Sequence, residues 1–260
     1  MLLAYVLKKD RAFLFAYPDK SISLNQYKRY KKLINRRKNA EPIAYLKHSK
    51  EFFGLDFYVD KRVLIPRPET ETLVEFVLES ITKKKWTNLK LKICDVGTGS
   101  GCIAVTLAKK LPLAQIYATD ISKKALTVAK INAKKHKVQK QIKFFCGDLL
   151  SPISKKIKFD IIVANLPYLT IDQLKVTEKE IQLYEPKIAL LAGKEETMLY
   201  SRLLEQIPDY IKRNGLVFLE IDPKFKNKFI KKITSKFKIV KNITIRKDLS
   251  GNDRVIRLIY

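Results

Sequence analysis

The sequence predicts an α/β fold built on a parallel, doubly wound sheet. From residue 91 onwards, short apolar runs alternate with helical stretches, and most of the apolar runs are rich in β-branched residues. This alternation is typical of a sheet covered by helices on both faces. The predicted strands are LKICDV (91–96), AQIYATD (114–120), IKFFCGD (142–148), FDIIVAN (159–165) and GLVFLEI (215–221). Because Asp, Asn or Glu lies at or near the strand ends, we expect polar groups to converge in one crevice.

The segments around these strands complete the predicted sheet domain. CIAVTLAKKL (102–111) and KKALTVAKINAKKH (123–136) lie between strands and have the spacing of helices. The chain ends with two further strand candidates, KIVKNITIR (238–246) and DRVIRLIY (253–260). We expect these two strands to pair antiparallel at one edge of the sheet.

The first part of the chain has a different pattern. Residues 1–40 carry apolar side chains at helical spacing among lysines, at Leu24, Tyr27, Tyr30 and Leu33. EFFGLDFYVDKRV (51–63) alternates aromatic and polar residues, which predicts a hairpin. LIPRPETETLVEFVLESI (64–81) has prolines, a threonine and early glutamates, which predict a capped entry into a helix. The predicted parts are a helical domain, a hairpin linker and a sheet domain, at residues 1–50, 51–66 and 67–260.

The composition limits the class of protein without naming a substrate. Hydrophobic residues make up 46% of the 260 residues, which supports a sizeable core and excludes wholesale disorder. The net charge of +27 has two interpretations. It can attract a polyanion such as RNA, the ribosome or an acidic protein, or it can reflect a lysine-rich composition spread over every solvated face. The lysines are widespread, so charge alone does not choose between them.

Cysteine and histidine usage indicates a reducing compartment. Cys94, Cys102 and Cys146 are odd in number and sit in apolar surroundings, which predicts buried free thiols. No CxxC occurs and the two histidines are far apart in sequence, so we expect no metal site. The start MLLAYVLKKD lacks the basic residues that open a signal peptide, and no run of 18 apolar residues occurs. We therefore expect a cytoplasmic protein with no membrane partner.

A glycine-rich segment, DVGTGSGCIAV (95–105), starts at the end of the first strand of the sheet domain. Its glycines allow a tight turn and let backbone N–H groups approach a ligand closely. Asp120 ends the next strand, about 20 residues on, where an acid can hold ribose hydroxyls, and Asp148 ends the third. The third glycine comes one residue earlier than in G-x-G-x-x-G, so the ligand need not carry a phosphate.

This combination resembles the Rossmann-like sheet of the class I S-adenosyl-L-methionine-dependent methyltransferases. The resemblance implies that S-adenosyl-L-methionine is the cofactor. The residues implied for binding it are Asp95, Gly97, Thr98, Gly99, Ser100, Gly101, Asp120, Asp148, Leu149 and Asn165.

The fourth strand runs into Asn-Leu-Pro-Tyr, residues 165–168. In a doubly wound sheet this strand lies next to the first, so the segment should sit beside the methyl group of the cofactor. An amino group on a π system is a poor nucleophile because its lone pair is delocalised. The Asn165 side-chain carbonyl and the Leu166 backbone carbonyl can accept its hydrogens, Pro167 aims these acceptors by fixing φ, and Tyr168 offers a face for stacking. These four residues are the predicted catalytic and substrate-binding residues, and no general base is required.

Asn-Leu-Pro-Tyr resembles the [Asn/Asp]-Pro-Pro-[Tyr/Phe] motif of methyltransferases that act on planar nitrogens, either adenine amines or side-chain amides. Leu166 departs from the Pro-Pro form. With leucine there, the motif also resembles that of the rRNA adenine dimethyltransferases, and the basic charge would suit RNA.

Segments on both sides of this motif resemble one family, the peptide chain release factor glutamine N5-methyltransferases. The resemblance covers roughly residues 40–260, and its RPETE and EPxxAL segments are specific. The matching segments are EPIAYL (41–46), FFG (52–54), LIPRPETETLVE (64–75), YEPKIALLAG (184–193), GLVFLEI (215–221) and RKDLSGNDRVI (246–256). The resemblance implies methylation of the glutamine in the Gly-Gly-Gln motif of release factors 1 and 2, by an enzyme that we expect to be monomeric. A nucleic-acid adenine-N6 methyltransferase and a ribosomal-protein glutamine methyltransferase stay as alternatives.

The resemblance also implies roles outside the two motifs. It places Leu149 against the adenine, where some relatives have a larger aromatic residue. Arg67 and Glu69 either tie the linker to the sheet domain or form an exposed helix-capping box. Glu185 and Pro186 shape a loop over the substrate. The residues expected to brace the last hairpin are Arg246, Asp248 and Arg254.

Overall fold

The computed structural model describes residues 1–237 and 240–260. Its centre is a seven-stranded sheet in the order β5-β4-β3-β6-β7-β9-β8. The strands of this sheet are β3 (Lys92–Val96), β4 (Gln115–Asp120), β5 (Ile142–Cys146), β6 (Phe159–Ala164), β7 (Ile211–Glu220), β8 (Asn242–Lys247) and β9 (Asp253–Ile259). Strands β3 to β7 pair in parallel, and β9 pairs antiparallel with both β7 and β8. The predicted α/β fold with an antiparallel edge is confirmed.

Both faces of the sheet are covered by helices. One face packs against α5 (Glu71–Lys83), α6 (Cys102–Lys110) and α7 (Lys123–Lys135) through an apolar cluster. The opposite face packs against α10 (Met198–Gln206) and α11 (Lys226–Lys236) through a second cluster. Two short helices, α8 (Ile171–Lys175) and α9 (Lys179–Tyr184), lie in the connection between β6 and α10. The doubly wound arrangement thus follows from the apolar runs that the strands carry.

The last two strands begin and end close to their predicted bounds. Strand β8 starts at Asn242, and the first two residues of the predicted strand, 238 and 239, lie outside the described residues. The expected bracing contacts are of two kinds. Asp248 accepts a hydrogen bond from the Arg254 Nε at 3.0 Å, whereas Arg246 pairs with Glu79 on α5 at 2.7 Å. Arg246 therefore ties the edge hairpin to a helix rather than bracing the hairpin itself.

Four helices precede the hairpin, with bounds α1 (Leu2–Leu7), α2 (Arg11–Ala16), α3 (Leu24–Lys38) and α4 (Ile43–Lys47). Helix α3 opens on a capping box between Ser23 and Gln26, which satisfies two N–H groups at its start. A small cluster of Leu2, Val6, Leu33 and Leu46 holds α1, α3 and α4 together, and α2 contributes no buried residue. Of the apolar residues that predicted α3, Leu33 is buried and Tyr30 half-buried, while Leu24 and Tyr27 are exposed. The helix was predicted correctly, but only its C-terminal half carries a buried apolar face.

The predicted hairpin is shorter than the alternating segment suggested. It consists of β1 (Lys50–Phe52) and β2 (Leu55–Phe57), joined through Phe53 and Gly54, which have φ of 54° and 73°. Two positive φ values are what a tight two-residue hairpin turn requires. Phe52 and Phe57 insert into the main core beside α5, so the hairpin packs on the sheet domain. The following residues form no strand before a short 3₁₀ turn at Pro68–Thr70 leads into α5.

Two of the three cysteines lie where the sequence predicts. Cys94 and Cys102 are buried, and burial raises the pKa of both thiols. Cys146 is exposed, so the prediction that all three are buried is wrong. The reason is position: β5 pairs only with β4 and forms the edge of the sheet, and Cys146 is its last residue. Within residues 1–237 and 240–260, no helix is long and apolar enough to cross a membrane.

Candidate functional site

The site lies where the strand order of the sheet reverses. Strand β3 has β4 on one side and β6 on the other, although β6 comes three strands later in the chain. The loops that follow β3 and β6 are therefore neighbours at the carboxyl edge of the sheet, the usual place for a ligand in such folds. A cavity of about 240 Å³ opens between them, several times the roughly 30 Å³ share of one liquid water.

Ten of the thirteen predicted site residues line this cavity. They are Gly97, Thr98, Gly99, Ser100, Asp120, Asp148, Leu149, Asn165, Leu166 and Pro167. The other three, Asp95, Gly101 and Tyr168, are not among the lining residues. The structure thus brings together two segments that are about 65 residues apart in sequence, as the topological argument requires.

Asp95 organises the glycine loop from beneath. Its carboxylate is fully buried, and its Oδ2 accepts hydrogen bonds from the Thr98 hydroxyl at 2.6 Å and from the Ala104 N–H at 3.2 Å. Burial raises the pKa of Asp95 to about 7, and the hydrogen bond from Thr98 opposes the rise. The side chain therefore couples the loop to the first turn of α6.

The glycines hold the loop in a shape that other residues resist. Gly97, Gly99 and Gly101 have φ of 75°, 54° and 80°. An added Cβ on Gly97 would lie 3.0 Å from Leu166 Cδ2, and one on Gly101 would lie 3.1 Å from Ala129 Cβ. At Gly99 the nearest atom to an added Cβ is 4.0 Å away. Two glycines thus permit close packing, while Gly99 leaves free space beside the cavity that it lines.

Asp120 is positioned by backbone donors. Its Oδ2 accepts from the Gly99 N–H at 2.9 Å and its Oδ1 from the Ser122 N–H at 2.8 Å. Desolvation raises the pKa of Asp120, and these two hydrogen bonds oppose the rise. Each oxygen keeps a further lone pair, and a carboxylate of this kind can accept from two neighbouring hydroxyls.

The third acidic position is shaped by an arginine that the sequence did not point to. Asp148 forms an ion pair with Arg202 on α10, and both side chains line the cavity. The next residue, Leu149, is buried and has a φ of 51°, which is unusual for a residue with a Cβ. This backbone places the apolar Leu149 side chain on the cavity wall. Some relatives were expected to have a larger aromatic residue at this position.

These features fit the predicted cofactor. The open space beside Gly99 suits the amino-acid part of the cofactor. The Asp120 carboxylate, which has spare lone pairs, suits the ribose, and the apolar wall at Leu149 suits the flat adenine base. The cavity lining also carries five charged side chains, at Arg62, Arg67, Asp120, Asp148 and Arg202.

The loop after β6 is held by two side chains from other elements. The Asn165 Nδ2 donates to the Thr70 Oγ1 at 3.0 Å. The Tyr200 hydroxyl on α10 accepts from the Leu166 N–H at 3.2 Å and lies 3.1 Å from the Leu166 carbonyl oxygen and 2.5 Å from that of Glu220. Tyr200 is fully buried and reaches the end of β7 as well as the loop. This hydroxyl fixes the backbone of the motif relative to the sheet.

Thr70 has a different role from the one its sequence context suggests. The sequence predicts a capped entry into α5, but Thr70 makes no side-chain capping hydrogen bond there. Its hydroxyl accepts from Asn165 instead, and Thr70 lines the cavity. The predicted entry into α5 therefore lacks a side-chain cap, and the threonine belongs to the site.

Leu166, the residue that departs from the Pro-Pro form, packs against the glycine loop. Its side chain is buried and occupies the space directly above Gly97.

Tyr168 is half-buried, with its ring centroid 6.1 Å from that of Phe225. Burial raises the pKa of Tyr168 to about 12. Its stacking on a substrate stays a prediction.

Glu220 is a buried acid that sequence reasoning missed as a site residue. It ends β7 and is 2% exposed. Burial raises the pKa of Glu220 to about 7 and the charge of Arg254 opposes the rise, while the Glu220 Oε2 has no hydrogen-bond partner among the described residues. The signal in the sequence was weak: an acid at the end of a predicted strand, like Asp95 and Asp120.

The linker is tied to the sheet domain through one of the two predicted residues. The Arg67 guanidinium donates to the buried Glu185 carboxylate at 2.5 Å, and the Ile65 N–H donates to the same group at 3.2 Å. Burial raises the pKa of Glu185, and Arg67 opposes the rise. Glu69 is exposed and takes no part in this contact. Of the two expected roles for the RPETE segment, Arg67 has the tying role and Glu69 does not.

Comparison with known proteins agrees with this geometry. A methyltransferase small domain model matches residues 71–183, and a PrmC N-terminal domain model matches residues 1–47. The release factor glutamine methyltransferase of Clostridium acetobutylicum is 41% identical over 98% of this chain and 88% of its own length. The enzyme of the same description from Dictyoglomus turgidum is 37% identical over 100% and 89%.

Solved structures share the fold at lower identity. The hMettl16 catalytic domain is 16% identical with a TM-score of 0.62, covering 96% of this chain and 92% of its own. A methyltransferase from Pyrococcus furiosus is 18% identical with a TM-score of 0.57, covering 86% and 98%. The fold is thus that of a methyltransferase, and the curated relatives show which methyltransferase family the chain belongs to. The chain belongs to the release factor glutamine methyltransferase family and is an S-adenosyl-L-methionine-dependent methyltransferase.

Proposed function

We propose that this enzyme transfers a methyl group from S-adenosyl-L-methionine to the side-chain amide N5 of the glutamine in the Gly-Gly-Gln motif of release factors 1 and 2. One observation carries the proposal: Asn165, Leu166 and Pro167 line the same cavity as the glycine loop. That arrangement suits a planar nitrogen next to a methyl donor. The names of the curated relatives support an amide of a release factor over an adenine.

In this proposal the cofactor supplies an electrophilic methyl group on a sulfonium. The backbone of residues 97–101 surrounds its amino-acid part, Asp120 accepts from the ribose hydroxyls and Leu149 covers the adenine. Asp95 acts from beneath the loop, through Thr98 and Ala104, rather than by contact with the ligand.

The loop after β6 holds the substrate amide. The Asn165 side-chain oxygen and the Leu166 backbone oxygen accept the two amide hydrogens, which localises electron density on the nitrogen. Pro167 and the Tyr200 hydroxyl keep these acceptors in place. One N–C bond forms as one C–S bond breaks, and the nitrogen releases a proton to water after the transfer.

Catalysis then rests on alignment. Holding the nitrogen, the methyl carbon and the sulfur in line can supply roughly 7–11 kcal/mol through effective molarity. Because positive charge on the sulfur falls during transfer, a cavity with few ionised groups beside the reacting atoms favours the reaction. No group has to remove a proton before attack.

The proposal includes the arrangement of the chain. The helical part (1–50) contacts the release factor, the hairpin linker (51–66) sets its position, and the remaining part (67–260) carries the reaction. The high positive charge steers the enzyme to an acidic protein surface. The enzyme acts as a monomer in the cytoplasm, where release factors are made.

The test is a side-by-side methylation assay with cofactor carrying a labelled methyl group. Purified release factor 1, release factor 2, ribosomal proteins and rRNA are each offered to the enzyme. Label is expected in both release factors and nowhere else, and mass spectrometry should place it on the Gly-Gly-Gln glutamine. The matched control is a release factor in which that glutamine is replaced by alanine.

Two outcomes would overturn the proposal in different ways. Label that persists in the alanine-substituted release factor would exclude the glutamine as acceptor. Label that enters rRNA but no protein would favour the adenine alternative, and label confined to a ribosomal protein would favour the other glutamine methyltransferase.

A further inference from the structure

One wall of the cavity is formed by the chain between the hairpin and the 3₁₀ turn that leads into α5. This wall segment, residues 58–67, forms neither a strand nor a helix. None of the residues predicted to bind the cofactor comes from it. Five of its residues nevertheless line the cavity together with the glycine loop, namely Arg62, Val63, Leu64, Pro66 and Arg67.

A buried asparagine on α7 ties the start of the wall segment to the glycine loop. Asn132 is fully buried, and its Nδ2 donates to the Tyr58 carbonyl at 2.9 Å and to the Ser100 carbonyl at 2.8 Å. Its Oδ1 accepts from the Tyr58 N–H at 2.7 Å. The partners fix the orientation of the amide, since the two carbonyls need donors and the N–H needs an acceptor. Because Ser100 lines the cavity, one side chain joins the wall segment to the cavity lining.

A tyrosine from the helical part holds the middle of the wall segment. Tyr45 on α4 is buried, and its hydroxyl donates to the Val63 carbonyl at 2.6 Å. Val59 and Val63 are buried with Tyr45 in an apolar cluster that includes Ala125 and Val128 of α7. The wall segment is therefore packed between α4 and α7 and receives a hydrogen bond from each of them.

The hydrogen bonds add something that apolar packing alone does not supply. Buried polar groups are costly unless they are paired, so each bond favours one position of the backbone that it holds. Neither Tyr45 nor Asn132 lines the cavity. Both can reach its contents only through the wall segment.

We propose that Tyr45 and Asn132 are positioning residues that hold the wall segment against the cofactor, so that the helical part of the chain contributes to cofactor affinity. The inference rests on the proposed function, because it takes the cofactor to occupy this cavity. Since coupling between two equilibria is reciprocal, bound cofactor in turn stabilises the wall segment.

The first experiment measures the Kd of the full chain for S-adenosyl-L-methionine by calorimetry. Tyr45→Phe removes one hydroxyl and leaves the Val63 carbonyl without its donor, so the wall segment regains a hydrogen bond only by moving toward water. We expect the Kd to rise about threefold to tenfold. Tyr30→Phe is the matched control, since Tyr30 is a half-buried tyrosine that packs against the separate cluster of α1, α3 and α4. Its Kd should equal that of the wild type.

The second experiment sets affinity against stability. Asn132→Ala removes three hydrogen bonds, and we expect the Kd to rise about 10- to 100-fold. Leu33→Ala leaves a cavity in the cluster of α1, α3 and α4, so it should lower stability in urea and leave the Kd unchanged. If Leu33→Ala weakens cofactor binding as much as Tyr45→Phe does, the two polar residues are merely structural.

The third measurement is amide hydrogen exchange across the wall segment, followed by mass spectrometry. In the wild type, S-adenosyl-L-methionine should slow exchange in residues 58–67 as well as in the glycine loop. In free Tyr45→Phe, exchange in residues 58–67 should be faster than in the free wild type. Exchange that does not respond to the cofactor would contradict the coupling.

The outcomes separate the inference from the proposed function. A wild-type Kd in Tyr45→Phe, or in folded Asn132→Ala, would overturn the positioning role of that residue. If Gly99→Val also keeps the wild-type Kd, the assignment of the cavity to the cofactor fails instead. Should Asn132→Ala not fold, Tyr45→Phe decides the question, because it changes a single hydroxyl.

Discussion

The loop after β3 is shaped by its own glycines and by contacts with the neighbouring strand β4, whereas the loop after β6 is held by side chains from more distant parts of the chain. Gly97, Gly99 and Gly101 adopt positive φ, and Asp95 and Thr98 bond to each other three positions apart. Asn165 and Leu166 depend instead on Thr70 and Tyr200, which are 95 and 34 positions away. The half of the crevice assigned to the cofactor thus depends on positive-φ glycines as well as on contacts with β4, and the half assigned to the substrate depends on side chains of Thr70 and Tyr200.

This difference predicts how the two halves respond to substitution. Changes in the glycine loop should affect cofactor affinity and leave the β6 loop intact. Changes around Asn165 should affect turnover and leave cofactor affinity intact. The four predictions below test that separation.

The largest effect is expected for Asn165→Ala. Loss of the side-chain acceptor should lower kcat by about 10²–10³-fold, the range seen when one preorganised hydrogen-bonding group is removed from a reaction site. The measurement is methylation of a release factor with labelled cofactor, alongside calorimetry of cofactor binding. Asn35→Ala, an exposed asparagine on α3, is the control. A variant that loses cofactor affinity as much as turnover would break the separation.

A smaller effect is expected for Gly99→Val, this time on affinity. A β-branched residue resists a φ of 54°, and its side chain would enter the free space beside the cavity. We expect the Kd for S-adenosyl-L-methionine to rise roughly 10- to 100-fold, since a left-handed residue alone costs about 1–2 kcal/mol. Gly54→Val, at the hairpin turn with a φ of 73°, imposes similar backbone strain outside the crevice. Equal loss of affinity in both variants would mean that strain, and not the loop, is responsible.

The contact between linker and sheet domain should affect stability more than either half of the site. Arg67→Met keeps the apolar stem but leaves the buried Glu185 carboxylate without its charge partner. Because Arg67 is 34% exposed, we expect a loss of about 1–2 kcal/mol in the free energy of unfolding rather than the larger cost of a fully buried pair. Urea unfolding measures it, with Arg213→Met, an exposed arginine on β7, as control. An unchanged midpoint would show that the ion pair is not needed to hold the linker.

The last prediction concerns the pH dependence of stability. Asp95 and Glu220 have their pKa raised to about 7 by burial, from 3.8 and 4.5. Between about pH 4 and 7 the folded state therefore binds more protons than the unfolded state, so the contribution of these groups to stability falls as the pH rises. It levels off above pH 7. Urea midpoints at several pH values should show a shallower fall in Glu220→Gln, and the same slope in that variant would contradict the assignment.

Much of the fold could be predicted because the relevant signals are local. Each strand of the sheet carries its own apolar run, and the glycine loop directly follows the strand that presents it. The bounds were less predictable. The hairpin ends at Phe57, which the alternating pattern up to Val63 does not reveal, because Val59 and Val63 are buried in a separate cluster without belonging to a strand. Cys146 was misplaced for a related reason, since the position of β5 at the edge of the sheet depends on the strand order.

The site was predictable in its two motifs and not in their support. The sequence by itself determined which residues reach the crevice, because strand ends and the turns after them follow from residue type at short range. The tertiary structure alone decided that Thr70 binds Asn165 rather than capping α5, that Tyr200 secures Leu166, and that Glu220 lies behind both. These contacts join residues far apart in the chain. They exist only because β6 packs beside β7 and the start of α5 comes to lie against the end of β6.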